Sequence, residues 1–164
     1  MTVDLVIFGV RTPIADPKAV LAGLRAYMHS KGGWAQILNP ESVFGRDHLV
    51  SALGHARRAI EQGRNTTDSV EMEFLLYVSG ERQISKAIEA AGAKAQQPFV
   101  VVIPGGESAE DVLLRFSWER DDKLLDPTGS RLRGAGFSTE EIESAGESAR
   151  DLILERVARV DLIK

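Results

Sequence analysis

The sequence predicts a single α/β (α+β) domain with a sheet of about four strands, helices packed on that sheet and a long C-terminal helix. Short runs of apolar, β-branched residues alternate along the chain with longer segments whose apolar residues recur at helical spacing. The chain has 164 residues, the size of one domain, and contains no internal repeat, low-complexity tract or linker. We therefore treat residues 1–164 as one domain.

The N-terminal part of the chain predicts a strand, a helix and a second strand. Residues 3–8 are apolar and β-branched, and a glycine follows them. Asp16 followed by Pro17 is a helix start, because Asp can accept a hydrogen bond from a first-turn amide and Pro has no amide to leave unpaired. After this helix, residues 34–38 form a second short strand, closed by an Asn-Pro pair.

The middle of the chain continues the alternation. Residues 46–62 carry an apolar stripe at helical spacing, which predicts a helix. Residues 72–78 form a short apolar run, which predicts a strand, and residues 82–91 return to helical spacing. The valine-rich run 99–103 predicts a strand at the centre of the sheet, since a strand buried on both faces is apolar throughout.

The C-terminal part predicts two helices separated by an irregular stretch. Ser108 is an N-cap for a helix through about residue 118. Residues 119–137 are polar and rich in glycine and turn residues, and we expect them to be irregular or mobile. Ser138 and Glu141 form a capping box that starts one long final helix.

Composition narrows the class of protein. There is no cysteine, which excludes disulfides, thiolate metal sites and a cysteine nucleophile. The first residues lack the pattern of a signal peptide, and the apolar runs are too short to span a bilayer, so we expect a soluble cytoplasmic protein without a membrane partner. The net charge of −4 argues against a general nucleic-acid coat. The acidic excess falls within residues 105–164, which leaves room for a local RNA contact elsewhere.

Candidate catalytic and metal-binding residues are few. His48 and His55 lie seven residues apart on one helix, too far to share a metal ion, and we expect both to be solvated. No nucleophile elbow, P-loop or dinucleotide-binding motif occurs. We therefore expect no catalytic residues, no metal and no cofactor.

One loop keeps a small-ligand alternative open. Gly105 and Gly106 stand between a strand and a capped helix, where backbone amides can hold an anion. Glu107, Glu110 and Asp111 crowd the same helix start and would repel a phosphate. A plain turn is favoured, with a small-ligand or nucleotide-binding α/β domain as the alternative.

Two features suggest binding rather than chemistry. Arg82 and Gln83 stand at a helix start, where they can bind phosphates or base edges, although such residues are often simply solvated. On the C-terminal helix and its tail, four residues remain as apolar surface after the core stripe is assigned, and such a surplus often marks a partner site. These are Leu154, Val157, Leu162 and Ile163.

Three segments carry a resemblance to a known family. They are residues 37–52 (ILNPESVFGRDHLVSA), residues 73–84 (EFLLYVSGERQI) and residues 153–164 (ILERVARVDLIK). The sequence resembles the kinase-binding subunit of the KEOPS complex, the family of the PRPK-binding protein TPRKB. The S-G-x-R-Q-I block is most similar to that of its archaeal members. Residues 105–137 contribute nothing to the resemblance.

The resemblance implies a non-catalytic regulatory subunit. Members of this family bind the atypical kinase/ATPase subunit of KEOPS, which holds the threonylcarbamoyl transferase that modifies adenosine 37 of tRNA. Archaeal-type members are also implicated in binding the tRNA 3′ CCA end. The implied tRNA-binding residues are Arg82, Gln83, Ile84 and, because it lies in a matched segment, His48. A purely structural adaptor without RNA contact is the remaining alternative.

Overall fold

The computed structural model describes residues 4–126, 129–134, 137–145 and 149–163. Within these ranges three strands and eight α-helices form an α+β domain, with two additional 3-10 turns at Pro40–Ser42 and Asp122–Leu125. The strands are β1 (Leu5–Val10), β2 (Gln36–Leu38) and β3 (Phe99–Pro104). The helices are α1 (Pro17–His29), α2 (Arg46–Glu61), α3 (Val70–Ser79), α4 (Ile84–Ala91), α5 (Ala109–Phe116), α6 (Gly129–Gly134), α7 (Thr139–Ala145) and α8 (Ala149–Ile163).

The sheet is antiparallel, with β3 in the centre and β1 and β2 on either side. Alternate residues of β3 face opposite sides, as the pleat of a strand requires. Val100 and Val102 pack into one core with α2, α3, α4 and α8. Phe99, Val101 and Ile103 pack into a second core with α1 and α5. The predicted fold class, the layering of helices on a sheet and the central position of 99–103 are confirmed.

One predicted strand is wrong. Residues 72–78 belong to helix α3, so the sheet has three strands rather than four. Ser69 caps the start of α3 by accepting a hydrogen bond from the Met72 amide, and Gly80 ends the helix in the left-handed conformation with φ of 75°. The helix is apolar nearly all round because it is buried on all sides, so no polar stripe reveals its period.

The C-terminal part contains the predicted capping box and two described helices. The capping box is confirmed: the Glu141 amide donates to Ser138 Oγ, and the Ser138 amide donates to the Glu141 carboxylate. The predicted final helix covers α7 and α8, and residues 146–148 between them lie outside the described ranges. The tail through Ile163 continues α8. No helix within the described ranges is both long enough and apolar enough to cross a membrane.

The stretch 119–137 is attached to the rest of the domain, where irregular or mobile chain was expected. The Asp121 amide donates to the Gly9 carbonyl at 2.8 Å, which covers the outer edge of β1. A Cβ at residue 9 would lie 2.1 Å from the Asp121 carbonyl oxygen, so only glycine permits this approach. The described part of the stretch also contains helix α6.

A buried arginine of α6 fixes this stretch. Arg131 is largely buried. Its Nη1 donates to the carbonyls of Leu124 and Asp126, both at 2.8 Å, and to that of Val43 at 3.3 Å. One side chain therefore joins the 3-10 turn at Asp122–Leu125 to the loop before α2.

Arg131→Ala should lower the free energy of unfolding by roughly 2–4 kcal/mol, because three carbonyls lose a charged donor in a buried place. Arg133→Ala is the matched control, since Arg133 lies exposed on the same helix; its effect should stay within about 0.5 kcal/mol. Urea denaturation followed by circular dichroism measures both. Equal effects of the two variants would show that Arg131 does not hold the segment.

Candidate functional site

The turn between α3 and α4 presents the residues singled out by the sequence. It comprises residues 80–83 and joins two helices, where a strand-to-helix turn was expected. Arg82 and Gln83 are exposed, and Gln83 is the N-cap of α4. Ile84 is half-buried and packs against the core that contains α3, so it anchors the start of α4.

A groove of about 260 Å³ lies beside this turn. We call it the Arg82 groove. Its lining residues are Glu81, Arg82, Gln83, Lys86 and Ile163. The last of these comes from the end of α8, so the groove joins the predicted RNA-binding turn to the predicted partner-binding tail. No pattern in the sequence indicates that these two regions meet.

The polar groups of the groove are available to a ligand. Among the described residues, neither Arg82 nor Lys86 forms an ion pair. The Gln83 side chain does not cap its own helix, and the first turn of α4 contains no acidic residue. The partial positive charge at this helix end is therefore not neutralised by an acidic residue of the first turn, and the carboxylate next to it in the groove is that of Glu81. Two cations, the Gln83 amide, the Glu81 carboxylate and the apolar Ile163 side chain therefore line one groove.

The loop at Gly105 and Gly106 differs in each of these respects. A Cβ at residue 105 would lie 2.2 Å from a carboxylate oxygen of Asp4, so a negative charge already stands against the loop. Ser108 caps α5, and Glu110 and Asp111 occupy its first turn. This helix start is closed to anions by its own side chains.

His48 is not solvated, contrary to expectation. It is 1 % exposed, and both ring nitrogens have backbone partners. The Phe44 amide donates to Nδ1 at 3.2 Å, so the proton is on Nε2, which donates to the Val78 carbonyl at 3.1 Å. His48 therefore presents no ring nitrogen to an RNA; it holds the end of α3 from the inside.

His55 is also engaged, and the expectation that it is solvated is wrong too. Its Nδ1 lies 2.7 Å from Asp161 Oδ2 of α8, and the same carboxylate accepts hydrogen bonds from Tyr77 and Arg64. Burial acts to raise the pKa of Asp161, but these hydrogen bonds outweigh it and hold the pKa below its ordinary value. Burial, together with Asp161, raises the pKa of Tyr77. The network ties the end of α8 to α2 and α3.

The four predicted partner-binding residues divide between core and surface. Val157 is buried in the core with α2 and α3, so its assignment to a binding surface is wrong. Leu154 is half-buried. Leu162 is 84 % exposed and Ile163 is 46 % exposed, and these two leave the apolar surface that was expected. Along this end of α8, the change from buried to exposed apolar side chains lies between Val160, which is buried, and Leu162.

Within the described ranges, no three His, Asp or Glu side chains come together as a metal site would require. What the described geometry does offer is a small α+β domain with a polar groove, lined by two cations and one carboxylate, and an adjoining apolar helix end. The model of the family described as kinase binding protein CGI-121 matches residues 19–135, and the chain belongs to this family. A search of curated proteins gave no match.

The family match confirms the resemblance drawn from residues 37–52 and 73–84. It extends to residue 135 and so includes most of the stretch 105–137, which had shown no resemblance. It ends before α8, so the likeness of residues 153–164 stays a prediction. The Arg82 groove takes its turn from the matched part and Ile163 from outside it.

His48 predicts a pH dependence of stability. Burial lowers its pKa from 6.5 to about 4, so the folded protein favours the neutral ring. The stabilisation is complete above pH 6.5, and it is lost as the pH falls towards 4 because the unfolded state then binds a proton that the folded state rejects. The loss should reach about 3 kcal/mol at pH 4.

The measurement is the unfolding free energy of wild type and His48→Gln between pH 7.5 and pH 4. Gln can donate to the Val78 carbonyl and accept from the Phe44 amide without titrating. The difference between the two proteins isolates His48 from all other titrating groups. Parallel pH profiles would contradict the assignment.

Proposed function

We propose that this protein is a non-catalytic regulatory subunit of the KEOPS complex, which forms threonylcarbamoyl adenosine in tRNA. In this role it binds the atypical kinase/ATPase subunit, which carries the threonylcarbamoyl transferase, and it binds the 3′ CCA end of the tRNA in the Arg82 groove. It acts by binding and performs no reaction of its own. The proposal also places it in the cytoplasm, where tRNA is modified.

Membership of the CGI-121 family supports the kinase partner, since the family is described as kinase binding. The exposed apolar end of α8 supplies a surface suited to a protein partner, because Leu162 and Ile163 are both exposed there. Asp161 immediately precedes them and is fixed by its network to α2 and α3. The surface is therefore held in one position, which lowers the entropy lost on binding.

The observation that carries the RNA contact is the composition of the Arg82 groove. A single-stranded RNA end offers phosphates, exposed base edges and flat apolar base faces. Arg82 and Lys86 are suited to the phosphates, Gln83 to a base edge and Ile163 to a base face. These four side chains lie in one groove, and within the described ranges the fold uses none of the polar ones. The groove also contains the Glu81 carboxylate, which the charges of Arg82 and Lys86 outnumber two to one.

The nucleotide-binding alternative has less support. Its loop at Gly105 carries the Asp4 carboxylate and an acidic, capped helix start, so a phosphate placed there would meet like charge. Under the structural-adaptor alternative, the Arg82 groove would bind no RNA. It differs from our proposal in one measurable property, the affinity for the tRNA 3′ end.

Arg82→Ala should weaken binding of intact tRNA by about 1–3 kcal/mol, the range for loss of one specific phosphate or base contact. Arg82→Lys should restore part of the loss, because Lys keeps the charge without the planar fork. Gel-shift titration at fixed salt measures the affinities. With tRNA trimmed of its CCA end, wild type and Arg82→Ala should bind equally.

Arg115→Ala is the charge-matched control for this experiment. Arg115 is exposed on α5, which packs on the opposite face of the sheet. Its removal subtracts the same charge far from the groove. If Arg82→Ala and Arg115→Ala weaken tRNA binding equally, Arg82 contributes only its charge and makes no specific contact. That result would favour the structural-adaptor alternative.

Leu162→Glu should reduce co-purification with the cognate KEOPS kinase subunit at least about tenfold, because a charge would have to be desolvated in an apolar interface. The fold should be unaffected, since Leu162 is 84 % exposed. Leu114→Glu is the control: Leu114 is 79 % exposed on α5. If Leu114→Glu abolishes co-purification with the kinase subunit and Leu162→Glu does not, the interface lies on the other face of the sheet.

A further inference from the structure

The carbonyl end of α3 is held by side chains from two other helices. His48 of α2 donates to the Val78 carbonyl, and Arg156 of α8 donates through Nη2 to the next carbonyl, that of Ser79. The last carbonyls of a helix have no partner within the helix, and cations are favoured there by the helix dipole. Arg156 therefore meets α3 at the point where the Arg82 turn begins.

Arg156 also packs against the turn itself. A Cβ at residue 80 would lie 2.5 Å from Arg156 Nε and 3.2 Å from its Cγ, so the arginine stem fills the space that the glycine leaves open. Burial lowers the pKa of Arg156, while the nearby Glu81 carboxylate acts to raise it. The side chain lies between the helix end and the first residues of the turn.

The base of Arg156 is fixed as well. Its neighbour Val157 is buried in the core, and so is Val160 one turn further along α8. Beyond them Asp161 is hydrogen-bonded to His55 and Tyr77. Because this part of α8 is fixed, the Arg156 guanidinium has a defined position, and so does the Ser79 carbonyl to which it donates.

Only two residues separate this contact from the start of the binding groups. The Glu81 amide is bonded to the Leu76 carbonyl and to Ser79 Oγ, both at 3.2 Å, so the turn is tied to α3 up to Glu81. Arg82 follows directly. A shift of Ser79 or Gly80 would therefore move the backbone from which Arg82 and Gln83 extend.

We propose that Arg156 is a positioning residue of the Arg82 groove: by holding the Ser79 carbonyl and packing on Gly80, it sets the turn in the geometry that receives an RNA end. This role rests on the proposed function, since it concerns the same groove. Arg156 acts through Arg82 and Gln83, not through contact with the RNA.

The test is a double-mutant cycle in the 164-residue protein, with gel-shift titration of intact and CCA-trimmed tRNA. Arg156→Met keeps the apolar stem and removes the donor, and it should weaken binding of intact tRNA about tenfold. In the Arg82→Ala background the same change should cost clearly less than it does in wild type, because one of the two side chains that it positions is gone. With trimmed tRNA it should also have none.

Arg159→Met is the matched control, since Arg159 is exposed on the same helix three residues away. It removes the same charge, and its effect should stay within about twofold. Arg156→Lys serves if Arg156→Met does not fold: it keeps the charge and one donor but loses the planar group against Gly80, and should cost about threefold. Circular dichroism and thermal melting establish which variants fold.

The outcomes separate the two proposals. If Arg82→Ala binds intact tRNA as wild type does, the RNA-binding function fails. If Arg82→Ala weakens binding but folded Arg156→Met does not, only the positioning role fails. The positioning role would also fail if the affinity losses of Arg82→Ala and Arg156→Met simply added in the double variant. It would fail likewise if Arg156→Met weakened binding no more than Arg159→Met does. If Arg156→Met does not fold, the positioning role fails when Arg156→Lys binds intact tRNA as tightly as wild type does.

Discussion

The burial of β3 on both faces is the constraint on which the rest of the structure depends. All side chains of residues 99–103 are apolar and alternate ones face opposite ways, so this central strand needs an apolar layer on each side. The layer containing α1 and α5 covers Val101, and the layer containing α2, α3 and α8 covers Val102. The Arg82 groove belongs to the second layer. Its position on the surface follows from how α3 and α8 meet beneath it.

Elements were predictable from the sequence where an apolar face contrasts with a polar one or where a motif has a fixed spacing. Helix α2 has an apolar stripe opposite a charged face, and the capping box at Ser138 has a fixed spacing, so both were found where the structure has them. Helix α3 was mistaken for a strand because burial on all sides removes the polar stripe. The signals for its ends were present nonetheless. Ser69 and Gly80 bound ten residues, which is long for a strand and ordinary for a helix.

The candidate site was predictable in part, for a related reason. Arg82 and Gln83 could be found because they follow Gly80, which ends one element and leaves the next residues on the surface. His48 and Val157 could not be placed, since each lies on a helix that packs against more than one neighbour. A helix wheel shows one buried face, whereas α2 and α8 are covered over a wider arc. Arg156 has the sequence appearance of a solvated arginine and acquires its contact with Ser79 only from the packing of α8 on α3.

The place of Ile163 in the wall of the Arg82 groove has a thermodynamic consequence. A ligand in the groove and a partner on the end of α8 would both touch this side chain, so neither can bind without changing the surroundings of the other. Linkage then requires the effect to be mutual: whatever factor the partner applies to the affinity for the ligand, the ligand applies to the affinity for the partner. In the complex proposed above, occupancy of the groove by the tRNA end would thus change the affinity for the subunit on α8 through one shared isoleucine.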